Sequence, residues 1–384
     1  MGEFTKKIVT IIGARPQIIK ASAISRAIET SFKNEINEII VHTGQHYDQN
    51  MSQIFFEELG IPNPNYNINV GSGRHGKQTA KMIEGIEEIL LKENPDAVIL
   101  YGDTNSTIAG SLAASKIHIP IVHIEAGLRS FNKKMPEEIN RIACDHMSSL
   151  LFSPTNQGIL NLKKEGFSTD TNNKASMDSP NIYHCGDIML DNSMYFGQNE
   201  HSSKLMDTLE LEEGNYVLCT IHRDNNTDSE KNLNNILKAL LNCQEKTNLK
   251  IVLPLHPRTK NKISELKNQE LVKKLTNNVN ISIIPPAGFI DIITLEKKSR
   301  LIITDSGGLQ KEAYFFKKPC VILREQTEWV EIVENGNAIL TGSDYDKIND
   351  AIKHLLSKND FTYPPIFGDG KAGQFICSKI LSDL

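Results

Sequence analysis

A run of β-branched and apolar residues opens the chain, ends at a glycine and is followed at once by a helical pattern. The run extends from Lys7 to Gly13, Pro16 stands near the start of the helix, and apolar residues then recur at helical spacing from Ile18 to Ile28. A strand, a tight glycine turn and a helix make up one unit of a parallel sheet. A chain that repeats this unit is predicted to form an α/β fold with right-handed crossovers.

The unit recurs in two groups along the chain. The first group has strand-like runs at 36–42, 97–101, 120–124 and 149–153, one further run at 181–186, and helical patterns at 50–59, 78–92, 106–116, 137–147 and 156–164. The second group has strand-like runs at 216–221, 250–255, 281–284, 301–304 and 320–323, with helices such as 309–317 between them. This pattern predicts two Rossmann-like, doubly wound domains.

Polar segments without periodicity mark the region between the two groups. They cover 167–180 and 198–214, and we place the domain boundary in this neighbourhood. The expected division is an N-terminal domain of 1–190, a C-terminal domain of 191–363, and a tail of 364–384 whose helix packs back across the domains.

Composition excludes several classes of function. Of the 384 residues, 23% are charged and 39% are apolar, as in an ordinary globular protein, and the net charge of −5 does not suit a nucleic-acid partner. No apolar run approaches the roughly 20 residues of a membrane span. The six scattered cysteines suggest buried thiols in a reducing compartment, so we expect a cytoplasmic protein without a membrane partner.

Metal-binding signatures are also missing from the sequence. It contains no Cys-x-x-Cys or His-Glu-x-x-His pattern. His42 and His46 stand four apart, but Gly44 between them argues against a helix that would present both. We therefore predict no metal site.

Charged residues are concentrated directly after the strand-like run that ends near His123. Glu125, Glu137 and Glu138 lie in the same nineteen residues as Arg129 and Arg141. A buried strand that releases carboxylates at its carboxyl end places them where open parallel sheets bind ligands, and two carboxylates in one crevice suggest proton transfer. The alternative is that Glu125 and Glu137 form structural ion pairs with Arg129 and Arg141. For Glu138 we favour a structural role.

Two further strand-to-helix turns of the first domain carry charge. Arg15 lies in the first glycine turn, where the helix dipole favours an anion, although an arginine on the surface of a tight turn is the alternative. This turn lacks the three glycines of the dinucleotide fingerprint, which excludes NAD. Asp103 follows the strand 97–101 and would share the sheet edge with Glu125, or it would cap the next helix.

The second domain offers an anion cradle. Ser306, Gly307 and Gly308 follow a strand and begin a helix, an arrangement suited to a diphosphate, and Glu312 lies one turn further on. A simple turn with a helix cap is the alternative. His222 and His256 each end a strand beside an arginine, and either of them is otherwise a satisfied core histidine. All these clusters lie at carboxyl ends of predicted strands, which favours one crevice holding an anionic ligand.

Taken together, seven segments resemble the UDP-N-acetylglucosamine 2-epimerase family. They keep the family's order from about Lys7 to the C-terminus, and they are GARPQ at Gly13, GDTNS at Gly102, HIEAGLR at His123, PEEINR at Pro136, HRDN at His222, DSGGLQKEA at Asp305 and GDGKA at Gly368. The resemblance implies two Rossmann-like domains of the glycosyltransferase-B type facing across a cleft. The second domain would bind UDP and the first would face the sugar.

The resemblance also implies a reaction and a set of site residues. The family inverts a sugar at C2 by removing UDP across C1 and C2 to leave a glycal, then adding it back, without a metal or redox cofactor. The implied acid and base candidates are Asp103, Glu125 and Glu137, while Arg15 and His222 would stabilise the departing diphosphate. The remaining implied UDP contacts are Lys20, Ser306, Gly307, Gly308, Glu312 (to the ribose) and Arg324. A homodimer serving cell-surface polysaccharide synthesis is expected.

The chain departs from the best-known members of the family after Arg129. It has only SFNKKM before Pro136, a short form that resembles the branch acting on UDP-2,3-diacetamido-2,3-dideoxyglucuronic acid, where Lys133 and Lys134 would meet an extra carboxylate. Gln45 and His46 match the family's regulatory site only in part. A hydrolysing 2-epimerase, a glycosyltransferase of the same fold and a UDP-sugar-binding regulator are the competing hypotheses.

Overall fold

The structure is a computed structural model that describes residues 6–44, 56, 58–171, 174–198 and 204–384. Gln45, His46 and most of the predicted helix 50–59 lie outside the described residues. The chain divides into two compact units, Met1–Met194 with Pro365–Leu384 and Tyr195–Pro364. The first described helix or strand begins at Lys6, and no helix within the described ranges is long and apolar enough to cross a membrane.

The first unit is built on a seven-stranded sheet whose neighbouring strands are all parallel. Its order is β3-β2-β1-β4-β5-β6-β7. The strands are β1 (Lys6–Ile12), β2 (Ile36–His42), β3 (Tyr66–Asn67), β4 (Ala97–Tyr101), β5 (Ile121–Ile124), β6 (Leu150–Ser153) and β7 (Asn181–His184). Strands β4, β5 and β6 are buried along their whole length, as expected for parallel strands covered on both faces.

Helices connect these strands and cover the sheet. Up to Gln198 they are α1 (Arg15–Ala27), α2 (His75–Glu93), α3 (Asn105–Lys116), α4 (Pro136–Asp145), α5 (Asn156–Lys164) and α6 (Ile188–Gln198), and a short π-helix (Ile28–Phe32) extends α1. Helix α6 begins in the first unit and ends in the second. A buried cluster that includes Val9, Ile86, Val98 and Ala113 forms one core between the sheet and α2 and α3.

Strand order reverses between β1 and β4, the switch point at which open sheets bind ligands. The buried amide of Gln17 bridges the two strand ends there. Its Oε1 accepts from the backbone N–H groups of Gly13 (2.9 Å) and Ala14 (3.1 Å), and its Nε2 donates to the carbonyl of Tyr101 (3.0 Å). A side chain on Gly13 would collide with the Ser106 hydroxyl, so only glycine allows this close approach.

The second unit has six parallel strands in the order β10-β9-β8-β11-β12-β13, which reverses between β8 and β11. The strands are β8 (Tyr216–Thr220), β9 (Lys250–Pro254), β10 (Ile281–Ile284), β11 (Leu301–Thr304), β12 (Cys320–Ile322) and β13 (Ala338–Leu340). The helices between Lys204 and Ser357 are α7 (Lys204–Thr208), α8 (Asp224–Thr227), α9 (Glu230–Thr247), α10 (Pro257–Ser264), α11 (Gln269–Thr276), α12 (Phe289–Lys298), α13 (Gly307–Phe315), α14 (Val330–Glu334) and α15 (Tyr345–Ser357).

The predicted fold class is confirmed, since two α/β units with parallel sheets are present. The strands that the sequence analysis missed within the described ranges are β3 and β13, which have two and three residues. Such short strands show neither an apolar run nor an alternation. The six cysteines are all free thiols, five of them buried. Cys185 lies one residue beyond β7 rather than inside a strand.

The C-terminal tail belongs to the first unit. Its helix, α16 (Ala372–Asp383), packs against α1, and Gly373 approaches the backbone of Ala23 closely. The carboxylate of Asp191 accepts from the N–H groups of Ala372 (3.1 Å) and Gly373 (2.8 Å), the first two residues of α16. Burial raises the pKa of Asp191 to about 6, although both amide bonds oppose this.

The raised pKa of Asp191 predicts a pH-dependent contribution to stability. Between about pH 6 and pH 3.8, Asp191 is protonated in the folded protein but ionised in the unfolded chain. The free energy of unfolding therefore rises as the pH falls through 6. From pH 7 to pH 5 the gain is roughly 1 kcal/mol. Between pH 7 and pH 5, the melting temperature of the wild type should rise more than that of Asp191→Asn. An equal change in both proteins would contradict this.

Candidate functional site

Glu125 follows β5 directly and is held in an unusual backbone conformation. Its φ of 73° is one that side chains other than glycine rarely adopt, and its N–H donates to the carbonyl of Phe152 (3.1 Å). The carboxylate forms an ion pair with the ammonium group of Lys20, which α1 supplies, and both side chains are largely buried. Lys20, which the family resemblance implies as a UDP contact, thus contacts Glu125 in the structure.

Asp103 follows β4, next to β5 in the sheet. Arg141 from α4 donates to its carboxylate, and the side-chain amide of Asn140 donates to its carbonyl at 2.9 Å. Burial opposes the charge on Arg141, but Asp103 and Glu138 raise the pKa of the guanidinium. Thr104, not Asp103, caps the following helix α3, so the capping alternative for Asp103 was wrong.

Glu138 anchors the short loop after Arg129. Its carboxylate accepts from the N–H groups of Ser130 (2.9 Å) and Phe131 (2.8 Å) and from Arg141 (2.9 Å). Burial opposes ionisation, but these bonds lower the pKa of Glu138. The structural role expected for Glu138 is what the structure shows.

The arginines offered as ion-pair partners of Glu125 and Glu137 are paired with other carboxylates. Arg129 contacts Asp145 at 2.7 Å and Glu165 at 2.6 Å, and Arg141 is held by Asp103 and Glu138 as described above. Glu137 lies in the first turn of α4 with an exposed side chain, and the described contacts do not join it to Asp103 or Glu125.

Arg15 is the first residue of α1 and is exposed. The N–H groups of Gly13 and Ala14 before it are occupied by Gln17. These two amides are therefore not open to an anion, contrary to the expectation for this turn.

In the second unit, buried Asp305 joins the ends of β8 and β11. Its carboxylate accepts from the N–H groups of His222 (3.1 Å) and Arg223 (3.0 Å) and from the side chain of Asn226 (3.0 Å). Burial favours the neutral acid, but the bonds from these residues lower the pKa of Asp305. Nδ1 of His222 lies 3.1 Å from the same carboxylate, while half of the His222 side chain is exposed.

The predicted cradle forms the start of α13. Ser306 is the N-cap, its hydroxyl accepting from the N–H of Leu309, and Gly307 and Gly308 are the first two helical residues, whose N–H groups have no partner within a helix. The Glu312 carboxylate lies near Gly308. The structure thus gathers His222, Ser306, both glycines and Glu312 around the neighbouring ends of β8 and β11 and the start of α13.

Arg324 borders this cradle. Its guanidinium lies beside Gly307 and makes two hydrogen bonds of 2.9 Å with the carboxylate of Glu328. Burial opposes ionisation of Glu328, but Arg324 lowers its pKa. Trp329, the only tryptophan of the chain, donates from its ring N–H to the Gly307 carbonyl at 2.9 Å. The indole therefore reports on the cradle.

The second histidine considered, His256, has a structural role. It caps α10 by accepting from the N–H of Arg258 (3.3 Å), and Arg258 pairs with Asp224 and Asp228. No group of three or more His, Cys, Asp or Glu side chains within the described ranges is arranged to hold a metal ion.

Several carboxylates that hold the site residues in place have no role predicted from the sequence; Asp145 and Asp305 are buried, and Glu165 and Glu328 are partly buried. Asp145, Glu165, Asp305 and Glu328 each fix a charged or polar group of the site. Asp305 could have been noticed within its motif at a strand end. The other three lie in helical or irregular stretches, where only the folded structure brings them to their partners.

The fold and these two sets of side chains define a two-domain, Rossmann-like α/β enzyme. The family model described as UDP-N-acetylglucosamine 2-epimerase matches residues 29–381. The chain belongs to this family, whose members are isomerases.

Two relatives and one solved structure illustrate the similarity. The chain is 48% identical over 368 residues to a UDP-N-acetylglucosamine 2-epimerase homolog of Methanococcus maripaludis, covering 95% of this chain and 97% of the relative. It is 47% identical over 374 residues to the UDP-2,3-diacetamido-2,3-dideoxy-D-glucuronate 2-epimerase of Pseudomonas aeruginosa, covering 97% and 99%. The crystal structure of the Methanocaldococcus jannaschii UDP-GlcNAc 2-epimerase in complex with UDP-GlcNAc and UDP matches with a TM-score of 0.82 and 42% identity, covering 97% and 98%.

Gly102 offers a test of how tightly the Lys20–Glu125 pair is packed. Its φ is 61°, and a Cβ there would lie 3.2 Å from the Glu125 carboxylate and 3.3 Å from the Lys20 ammonium. Gly102→Ala should cost about 1–2 kcal/mol in backbone strain alone and should also disturb the pair. Unfolding and activity assays measure both effects. Gly71→Ala is the control, because its φ of 73° imposes similar backbone strain while a Cβ there meets no atom within 4 Å. Equal behaviour of the two variants would refute the tight packing.

Proposed function

We propose that this protein is a non-hydrolysing UDP-sugar 2-epimerase that interconverts UDP-N-acetylglucosamine and UDP-N-acetylmannosamine. The observation that carries the proposal is the placement of Asp103 and Glu125 on neighbouring strand ends, each paired with a cation from a helix of the same unit. Family membership and the anion cradle of the second unit support it.

The chemistry of the substrate explains why both sets of groups are needed. The hydrogen on C2 of the sugar is not next to a carbonyl, so a base alone cannot remove it. The proton leaves as the bond from C1 to the diphosphate oxygen breaks, which yields a glycal and free UDP. Re-addition of UDP with the proton delivered to the opposite face completes the inversion. Stabilising the leaving group therefore matters as much as the base.

The first unit supplies the groups proposed for proton transfer. A carboxylate beside a cation remains an available acceptor in a largely buried position, as Glu125 is beside Lys20. Asp103 has the same relation to Arg141. Inversion needs a donor and an acceptor on opposite faces of the sugar, which two carboxylates on separate strands satisfy. Glu137 and Arg15, both exposed, complete the proposed set.

The second unit supplies the proposed UDP site. Helix α13 directs the N–H groups of Gly307 and Gly308 and its positive dipole end towards a diphosphate. Asp305 orients the ring of His222 so that its other nitrogen is available to the leaving group. Ser306, Arg324 and, for the ribose, Glu312 are the other proposed contacts.

Epimerisation in deuterated water tests the function. Both UDP-sugars recovered after reaction should carry deuterium at C2, because the abstracted proton exchanges with solvent before re-addition. Free sugar and UDP as main products would support a hydrolysing relative. Isomerisation without an acceptor would exclude a glycosyltransferase. Binding without turnover on any UDP-HexNAc would favour a UDP-sugar-binding regulator.

Glu125→Gln should lower kcat roughly 10²- to 10⁴-fold, the usual contribution of a positioned acid or base. Because Glu125 belongs to the first unit and the cradle for UDP to the second, UDP affinity read from Trp329 fluorescence should stay unchanged. Glu84→Gln, on the exposed side of α2, is the matched control. A kcat near that of the wild type would remove Glu125 from the proposed mechanism.

A second candidate substrate is UDP-2,3-diacetamido-2,3-dideoxyglucuronic acid. The support is the short loop after Arg129, which Glu138 anchors and which exposes Lys133 and Lys134. A sugar that carries an extra carboxylate would gain from these charges. The relative from Pseudomonas aeruginosa named above bears this substrate in its name.

A panel of both UDP-sugars, followed by proton NMR at C2, distinguishes the candidates. If the acidic sugar is the substrate, replacing Lys133 and Lys134 together by Ala should raise its KM about tenfold, the equivalent of about 1.4 kcal/mol. The same change at Lys163 and Lys164, two neighbouring exposed lysines of α5, should leave KM unchanged. Turnover of UDP-N-acetylglucosamine alone would exclude the acidic sugar.

We further propose a cytoplasmic homodimer that serves cell-surface polysaccharide synthesis. The six free thiols fit a reducing compartment. Light scattering should give about twice the chain mass of 42.9 kDa, and a single particle of 42.9 kDa would contradict the dimer.

A further inference from the structure

His123 lies in the middle of β5 and is wholly buried between two hydrogen-bond acceptors. Its Nε2 lies 2.8 Å from the carbonyl oxygen of Gly102, and its Nδ1 lies 2.6 Å from Oδ1 of Asp145. A carbonyl oxygen can only accept, so Nε2 carries a proton.

The other contacts of Asp145 show which group holds the second proton. Its Oδ2 accepts from the N–H of Gly127 at 3.1 Å and lies 2.7 Å from the guanidinium of Arg129. Two donors, one of them a cation, favour the ionised carboxylate, and Nδ1 of His123 must then donate to Oδ1. Both ring nitrogens are protonated, and His123 is an imidazolium paired with Asp145.

The groups around this pair keep the charges balanced. Burial disfavours the imidazolium, but Cys144 and Asp145, both on α4, raise the pKa of His123 well above its usual value. Burial likewise disfavours the Asp145 carboxylate, but His123 and Arg129 lower its pKa. Arg129 is in turn paired with Glu165. The whole network is charge-neutral, since it contains two cations and two anions.

The pair connects the segments that carry the proposed acid and base. Gly102 directly precedes Asp103, and Gly127 follows Glu125 by two residues. Glu125, Gly127 and Gly102 all have a positive φ, of 73°, 78° and 61°. A glutamate in this conformation persists only where its surroundings impose it. The contacts of His123 and Asp145 bind both turns to α4, which also bears Arg141, the partner of Asp103.

We propose that the buried His123–Asp145 ion pair is a positioning device that fixes Asp103 and Glu125 relative to each other. His123 and Asp145 act through the backbone at Gly102 and Gly127 rather than by touching the sugar. This role rests on the proposed function, because it presumes that Asp103 and Glu125 transfer protons. A misplacement of about 1 Å can cost about 10²-fold in rate.

The protonation state of the resting protein tests the device without any substrate. Nitrogen-15 NMR of histidine-labelled wild type should show one imidazolium that persists above pH 7, and the spectrum of His123→Gln assigns it by its disappearance among eleven histidines. Asp145→Asn removes the charge but keeps a group of the same shape, so His123 should become neutral with its proton on Nε2. A neutral His123 in the wild type at pH 7 would overturn the proposal.

Kinetics then separate positioning from general stability. His123→Gln offers two N–H donors on one nitrogen instead of two on opposite sides of a ring, so it cannot hold both acceptors. It should lower kcat about 10²-fold, with KM and UDP affinity, read from Trp329 fluorescence, changed less than about twofold. Asp145→Asn keeps the hydrogen bond from His123 to Gly102. Its kcat should therefore lie between those of His123→Gln and the wild type. His354→Gln, an exposed histidine of α15, is the control.

The outcomes distinguish this proposal from the proposed function. A wild type that shows no epimerase activity defeats the function, whereas the NMR measurement still determines the state of His123. An active wild type whose His123→Gln variant keeps full kcat defeats the positioning role alone. If the variant melts much earlier and loses UDP affinity together with kcat, the pair stabilises the fold as a whole and the proposal fails.

Discussion

Each unit depends on one buried polar side chain at the point where its strand order reverses. Gln17 bridges the ends of β1 and β4, and Asp305 bridges the ends of β8 and β11. The backbone groups at such a point have lost their partners in the sheet, and leaving them unsatisfied would cost about 1–3 kcal/mol each. One side chain with several bonding atoms meets this need and links the two strand ends. The chemical groups of both units are arranged around these bridges.

The charges of the first unit are arranged in opposite-sign pairs that differ in depth. The innermost pairs, His123–Asp145 and Arg129–Asp145, share a carboxylate that also accepts from the N–H of Gly127, while Lys20–Glu125 and Asp103–Arg141 lie nearer the surface. A buried ion pair contributes little net stability, because desolvation of both charges offsets their attraction. Such a pair fixes geometry instead, because removing one partner leaves the other as a buried charge without solvent or counter-ion.

The sequence was sufficient to predict both sheets, apart from the short strands β3 and β13, and the sheet edges at which the candidate site residues lie. Buried parallel strands are visible as apolar runs, and polar residues that follow such runs must collect at one sheet edge, which is why Asp103, Glu125 and Ser306 were predictable as edge residues. The partners of these residues could not be predicted in the same way. Lys20 is 105 residues from Glu125, and Asp145 is a helical residue whose type gives no sign of its burial. Pairings across such separations depend on helix packing and side-chain rotamers, which a single sequence does not contain.

The backbone at Glu125 has a consequence for the history and engineering of the chain. Glycine would adopt a φ of 73° freely, whereas a residue with a side chain loses about 1–2 kcal/mol there. Selection for thermal stability alone would therefore favour glycine at position 125. A library of variants screened only for folding would be enriched in variants that lack the Glu125 carboxylate. Under the proposed mechanism, stability favours glycine at this position, whereas proton transfer requires the glutamate.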